Sequence, residues 1–486
     1  MVSSANENSR NVAVLTLGCA RNETDSEELA ARLAAGGWDV TTDGDNADVI
    51  MVNTCGFIEQ AKQESIDTLL AASDSGAKVV ATGCLAERYG KDLAESLPEA
   101  NAVLGFDHYP DIASRLDSVV AGETLDSHTP SDRRKLLPIS PAARQDNSVT
   151  VPGHSPQISR ESQADAADTE GAPAHLKVMR HRLSEGPVAN VKIASGCDRR
   201  CSFCAIPSFR GAFVSRMPDE IVAEAQWLAE QGVKELNLVS ENTTSYGKDL
   251  GDQAALEGVL ERLSAIDGIE WIRLSYLQPA ELRPDLIVAM SRLDNVVPYY
   301  DLSFQHSSAN ILRRMRRFGS TETFLALLEQ IRNLDEEAGA RTNVIVGFPG
   351  ETEEDVAELE RFLTEARLDA VGVFAYSDED GTAAADLDGH VSEDDISARV
   401  ERISTLVDHL VTERAADRIG EVIDVLVELV EDDGVDGRAA HQAPEVDGTV
   451  ALVGDVGKLQ PGDIVSARVV DSHGVDLIAD VDKGSD

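Results

Sequence analysis

The sequence predicts an α/β protein in three parts: an N-terminal parallel α/β sheet, a central (β/α)6 partial barrel and a small antiparallel C-terminal β-barrel. Three observations predict it. Short apolar runs alternate with amphipathic stretches from residue 12 to about 122, the alternation resumes near 188, and period-two patterning between turn signals fills 420 to 482. A chain of 486 residues also exceeds what one hydrophobic core can organise.

In the first part "VAVLTLGC" reads as a strand and "TDSEELAARLAAGGW" as a helix with Thr24 or Asp25 near its cap. "ADVIMVNTC" is a second buried strand, followed by the helical "FIEQAKQESIDTLLAASD". "AKVVATGC" is a third, followed by "LAERYGKDLAESL". Apolar strands separated by amphipathic helices call for a parallel sheet covered on both faces. Residues 124–173 break the pattern: rich in Pro, Ser, Ala and Asp and without an aromatic residue, they are expected to be a disordered linker. In the second part the candidate strands are "VANVKIAS", "KELNLVS", "EWIRLSY", "YYDLSFQ", "RTNVIVG" and "DAVGVFAYS", with helices between them. Six such units fit a partial barrel. A long helical stretch, "SEDDISARVERISTLVDHLVTERAADRI", leads to the third part, where "EVIDVLVELV", "GTVALVG", "GDIVSARVVD" and "VDLIADV" suggest a barrel of about five strands. The expected divisions are 1–123, a linker and lead-in at 124–180, 181–385, a helical connector at 386–419, and 420–486.

The formal net charge is −44, from 87 acidic and 43 basic residues. Such a surface suits solubility or a basic partner and disfavours extensive contact with nucleic acid. No run of 18 apolar residues occurs, which speaks against a membrane span. The N-terminus has no signal-peptide shape, so a cytoplasmic location is expected. No surplus apolar face asks for a second copy, so a monomer is expected.

The six cysteines form two sets of three. Cys19, Cys55 and Cys84 each follow an apolar strand directly, so a parallel sheet would bring them to one edge, where ligands gather. Three small buried thiols are the bland alternative. Cys197, Cys201 and Cys204 follow the spacing Cys-x3-Cys-x2-Cys after the first barrel strand. Zinc normally wants a fourth Cys or His, and no His lies between Ala189 and Gln305. An iron–sulfur cluster can instead be held by three thiolates, leaving one iron for an outside ligand.

This loop, with Phe203 before its last cysteine, resembles the signature of the radical S-adenosylmethionine enzymes. The resemblance implies a 4Fe–4S cluster on Cys197, Cys201 and Cys204 whose open iron binds S-adenosylmethionine. One electron passed into the sulfonium would release methionine and a 5′-deoxyadenosyl radical, which takes hydrogen from an unactivated carbon. Over nearly the whole chain outside the linker, the arrangement resembles the methylthiotransferases of that family. That implies a second 4Fe–4S cluster on Cys19, Cys55 and Cys84, two S-adenosylmethionine molecules per turnover, and an external electron donor such as flavodoxin or ferredoxin. The C-terminal module is similar to a TRAM domain, an OB-like barrel that binds the substrate macromolecule.

Two branches of that family compete. One modifies an isopentenylated adenosine of tRNA; the other modifies an aspartate of the small-subunit ribosomal protein S-twelve, at its β-carbon. "VNTCGFIEQAKQESID", "SGCDRRCSFCAIPSFRG", "SFQHSSANILRRMRR" with Gln305-His306, and "GRAAHQAPEVDGTV" with Gly437, Arg438 and Pro444 resemble the second branch. From Asp417 to Asp486 there are 17 acidic and five basic residues, a net of −12. Phosphate would repel such a module, whereas a basic protein would be attracted. An iron–sulfur carrier or redox sensor without radical chemistry is the alternative from another class, although a carrier has no need of a barrel cavity.

The resemblance also implies cofactor contacts. Phe203 would flank the adenine, and Ser240 and Glu241, after the second barrel strand, would lie near the cofactor's amino group. Gln305 would point to the barrel mouth. Gly347 and Gly350, in "NVIVGFPGETEED" with Pro349 and Glu351, would lie by the adenine and ribose; a tight turn and a helix start capped by Thr352 are the plainer reading of that motif. The basic run Arg313, Arg314, Arg316 and Arg317 reads as intramolecular charge pairing, with ribosomal RNA or the cofactor carboxylate as other targets. The ten histidines show no metal spacing.

Overall fold

The structure is a computed structural model describing residues 10–135, 180–432, 434–444 and 447–481. The chain divides into two compact units. One comprises the described residues up to 185 with 194–199 and 205–216; the other comprises 186–193, 200–204 and the described residues from 217 onward.

The first unit is built on five parallel strands, β1 (Arg10–Thr16), β2 (Trp38–Thr41), β3 (Val49–Thr54), β4 (Lys78–Thr82) and β5 (Ala102–Val103). They lie in the order β2-β1-β3-β4-β5. Helices Ala20–Ala35, Glu59–Ser73, Gly83–Ser96 and Ile112–Val120 cover it. Alternate residues of β1 serve the two faces: Val12 and Val14 pack with Leu29, Leu33 and Met51, while Ala13 packs with Ile50, Val52 and Leu69. Burial on both faces is why these strands read as continuous apolar runs. The sequence reading missed β2 and β5. Both are edge strands of four residues or fewer, and β2 alternates with the polar Asp39 and Thr41, leaving little periodicity to detect.

Most of the expected linker, residues 136–179, lies outside the described residues. Its first part departs from the expectation of disorder. Glu87 is buried, and the linker supplies its partners: the Arg133 guanidinium, with Nε 2.6 Å from Glu87 Oε1, and His128, whose Nε2 lies 3.3 Å away. Two short strands, β7 (Ala194–Ser195) and β8 (Val214–Ser215), pair antiparallel in the first unit and flank the helix Ile206–Arg210.

In the second unit all six expected barrel strands are present: β6 (Val188–Lys192), β9 (Glu235–Val239), β10 (Trp271–Leu274), β11 (Tyr299–Asp301), β12 (Gly339–Val346) and β13 (Ala370–Ala375). They form two parallel three-stranded sheets, β10-β9-β6 and β11-β12-β13, joined by the parallel bridges Ile272–Val296 and Leu277–Leu302. The helix Glu393–Asp417 leads to a closed barrel of β14 (Val422–Glu431), β15 (Gly434–Ala439), β16 (Val450–Gly454), β17 (Ile464–His473) and β18 (Asp476–Val481). Four of its neighbouring pairs are antiparallel as expected, but β16 and β18 run parallel. A closed ring of five strands cannot alternate direction all the way round, so one parallel pair is a geometric necessity.

This small barrel is bolted to the N-terminal ends of the larger barrel's strands. Arg438 Nη2 bonds Glu235 Oε2 at 2.5 Å, and Glu235 Oε1 takes Arg273 Nε at 2.6 Å. Tyr299 donates to Asp447 at 2.5 Å, and Arg341 bridges Asp447 and Asp301 at 3.1 Å each. Leu426 and Ala443 pack there against Trp271, Val297 and Tyr299. Among the described residues, no helix is long and apolar enough to cross a membrane.

Candidate active site

Parallel pairing of β1, β3 and β4 brings Cys19, Cys55 and Cys84 to the carboxyl edge of one sheet. Cys19 caps the helix Ala20–Ala35, Cys55 directly follows β3, and Cys84 is the second residue of Gly83–Ser96. The approach is close. Gly18 has φ +97°, and a Cβ on it would stand 2.9 Å from Cys55 Sγ, so only glycine admits the thiol there.

Two arginines reach this edge. Arg21 Nη2 lies 3.5 Å from Cys19 Sγ, and Arg210 Nη2 lies 3.1 Å from Cys84 Sγ. Burial pushes the Cys84 thiol up to about 12, helped by its neighbours Cys55 and Cys19 and opposed by Arg210. Burial and the Cys19 charge likewise raise Cys55. At Cys19 burial is outweighed by Arg21 and Arg210, and the thiol sits below its ordinary value. Cys55 and Cys84 resist ionising beside the more readily ionised Cys19, and the positive charge of bound iron would favour the thiolate form of all three. Among the described residues no three Cys, His, Asp or Glu crowd closely enough to share a single metal ion. A 4Fe–4S cluster asks for a different arrangement, one thiolate at each of three irons.

The second cysteine loop falls across the division between the two units. In the first, Cys197 N–H donates to Gly211 at 3.1 Å, and Asp198 Oδ1 accepts from Phe213 N–H at 2.9 Å. In the second, Cys204 N–H donates to Cys201 O at 3.2 Å, and Ser202 is held by Met315 O and Arg314 O. Arg317 donates to Ser303 O and lies 3.7 Å from Cys201 Sγ. Phe203 packs against Ile311, Met315, Phe348 and Ala384.

The other expected residues stand at the carboxyl ends of the barrel strands. Ser240 and Glu241 are buried after β9, with Ser240 Oγ bonded to Asn242 N–H and 3.2 Å from Thr243 Oγ1. Gln305 follows β11 at φ +70°, a conformation that costs a side chain on the order of 1–3 kcal/mol and collects at functional sites. Gly347 N–H reaches both Glu351 oxygens, at 3.0 and 3.1 Å. Gly350, at φ +85°, lies against the Arg314 guanidinium. Thr352 and Asp355 form a reciprocal cap on the helix Glu353–Ala366, so the plainer reading of that motif holds as local structure.

The basic run divides: Arg314 pairs with Asp388 at 2.8 Å, Arg317 turns to the loop, and Arg313 and Arg316 are exposed. His306 Nδ1 accepts from Ser307 and Ser308 N–H. Sequence reasoning missed Arg21 and Arg210 at the N-terminal thiols and a polar ladder between the strands. Asn190, Asn237 and Ser275 are linked at 2.8 Å each, and Asp301, Arg341 and Asn343 continue the polar character. A barrel packed only for stability fills such layers with Val, Ile and Leu. A polar ladder suits a charged cofactor.

A parallel barrel with a three-cysteine loop, joined to a second three-cysteine sheet, defines a radical S-adenosylmethionine enzyme carrying an auxiliary cluster domain. Family models match accordingly: uncharacterized protein family UPF0004 over residues 11–105, the radical SAM superfamily over 191–363 and the TRAM domain over 419–481. The chain is 61% identical over 481 residues to the ribosomal protein uS12 methylthiotransferase RimO of Salinispora arenicola, covering 97% of this chain and 95% of that one. It is 60% identical over 479 residues to the protein of the same name from Saccharopolyspora erythraea, covering 98% and 96%. Among solved structures it resembles the radical S-adenosylmethionine methyltransferase TsrM of Kitasatospora setae at TM-score 0.50 and 15% identity, covering 75% of this chain and 73% of that one, a likeness of fold. The chain belongs to the RimO family of ribosomal protein uS12 methylthiotransferases. Enzymes of this kind use S-adenosylmethionine and two 4Fe–4S clusters.

Proposed function

We infer that the chain is a radical S-adenosylmethionine methylthiotransferase that replaces one hydrogen on the β-carbon of an aspartate of ribosomal protein uS12 with a methylthio group. The observation that carries this is identity near 60% to uS12 methylthiotransferases over almost the whole chain, with all six cysteines at strand ends or in the loop the chemistry needs. Bound clusters and S-adenosylmethionine would supply the electron transfer, the hydrogen abstraction, and the sulfur and methyl groups. The chain's own residues hold, aim and shield. Cys197, Cys201 and Cys204 would hold one cluster and Cys19, Cys55 and Cys84 the other. Phe203, packed on Phe348, gives the adenine an apolar wall. Ser240 and Glu241 are placed for the cofactor's amino group, and Gln305, Gly347 and Gly350 line the same strand-end face.

The acidic TRAM module is the docking site for a basic ribosomal protein, with the net −12 of residues 417–486 steering the encounter. The enzyme works in the cytoplasm as a single chain and takes its electrons from a carrier of the flavodoxin or ferredoxin type. tRNA methylthiolation is disfavoured by the same charge. The test offers uS12 and bulk tRNA side by side to anaerobically reconstituted enzyme with reductant, sulfide and S-adenosylmethionine, and reads both by mass spectrometry. A methylthio gain on an aspartate supports the inference; a gain on tRNA adenosine alone overturns it.

A further inference from the structure

Arg210 lies six residues beyond Cys204, yet its side chain belongs to the N-terminal thiol site. Its Nη2 reaches Cys84 Sγ at 3.1 Å, Asn22 Oδ1 at 2.9 Å and Asp25 Oδ2 at 3.0 Å. The guanidinium also lies over the Phe106 ring, 5.2 Å from its centroid, which fixes its plane. The side chains of Arg210 and Asp25 are 3% and 1% exposed, so water screens neither.

A buried ion pair is a poor source of stability, because the cost of desolvation offsets its attraction and apolar residues would fill the space as well. Its presence against a thiol therefore calls for another reason. Hydrogen bonds to ligating sulfurs and local net charge are the protein's means of adjusting an iron–sulfur cluster's potential. Arg210 provides both. Asp25, held by the same Nη2 that reaches Cys84, opposes it with a negative charge.

We propose that Arg210 is a positioning residue of the N-terminal cluster site: it holds Cys84 in ligating orientation and raises the reduction potential of the cluster there, with Asp25 as the counterweight. The proposal rests on the assignment of Cys19, Cys55 and Cys84 as ligands. It is tested in the full chain carrying Cys197→Ala, Cys201→Ala and Cys204→Ala, reconstituted so that only the N-terminal cluster remains, by a redox titration followed by electron paramagnetic resonance. Arg210→Gln should lower the midpoint potential, Arg210→Lys should restore part of it, and Asp25→Asn should raise it. Opposite signs mark a charge effect, which a pair kept only for folding would not produce. An unchanged midpoint in Arg210→Gln overturns the proposal, as does loss of iron from both charge variants. Should Arg210→Gln alone lose its cluster, Asp25→Asn decides: an upward shift supports the proposal and any other result overturns it. Failure of the parent to bind a cluster would instead strike the ligand assignment.

Discussion

The backbone of Gly347, at φ +83°, lets one N–H reach both oxygens of Glu351, and a Cβ there would stand 2.5 Å from Ile396 Cγ1. Gly347→Ala is therefore expected to cost about 1–3 kcal/mol, read as a lower midpoint in chemical denaturation. His441 presents a different kind of constraint. Burial first, then the charges of Arg418, Arg414 and Arg273, hold its imidazole down to about 3, against the pull of Asp369. A free histidine takes up a proton below about pH 6.5. The unfolded chain thus binds a proton that the folded chain refuses, and stability falls as pH drops from about 6.5 toward 3. Between pH 7 and pH 5 this residue alone removes about 2 kcal/mol. His441→Gln should flatten that part of the pH profile of thermal unfolding; an unchanged slope would show that other groups carry it. The six thiols were legible because each stands at a strand end or in a short spaced loop. Arg210 was not: nothing in "IPSFRG" says that its guanidinium turns back to a sheet formed nearly 200 residues earlier.

At the level of elements, six barrel strands and three of the five sheet strands were readable, because burial on both faces writes itself as apolar runs. β15 was harder. "GVDGRA" holds two glycines and two charged residues in six positions, and it is a strand because β14 and β16 pair with its two edges. Gly437 is needed there, since a Cβ would meet Leu426 O at 2.2 Å. Its neighbour Arg438 carries the joint between the two barrels, reaching Glu235 and Glu428 while only 2% exposed. Arg438→Met leaves Glu235 buried with one cation fewer, a loss expected to cost roughly 3 kcal/mol. The effect should show as unfolding of the radical core as well as the TRAM module, because the buried carboxylate belongs to the core. Two separate transitions, with only the TRAM one shifted, would contradict that.

At the level of the whole molecule, net charge decides which partners approach easily. With −44 on 486 residues, encounter with a basic protein is accelerated and becomes sensitive to salt. Association with uS12, followed by surface plasmon resonance, should slow about tenfold between 50 and 500 mM salt, with a much smaller change in dissociation. The joint at Arg438 and Glu235 also acts as a ruler. The TRAM module occupies the amino ends of the barrel strands, whereas Ser240, Gln305 and Gly347 stand at the carboxyl ends. The eight residues of β12 put roughly 26 Å between the two ends. On the proposed docking at the TRAM module, a peptide of fewer than about eight residues bearing the target aspartate is too short to reach from one end to the other even fully extended, whereas a folded protein is not. The enzyme should then modify intact uS12 at least tenfold faster than such a peptide at equal concentration, measuring its substrate by span as much as by sequence.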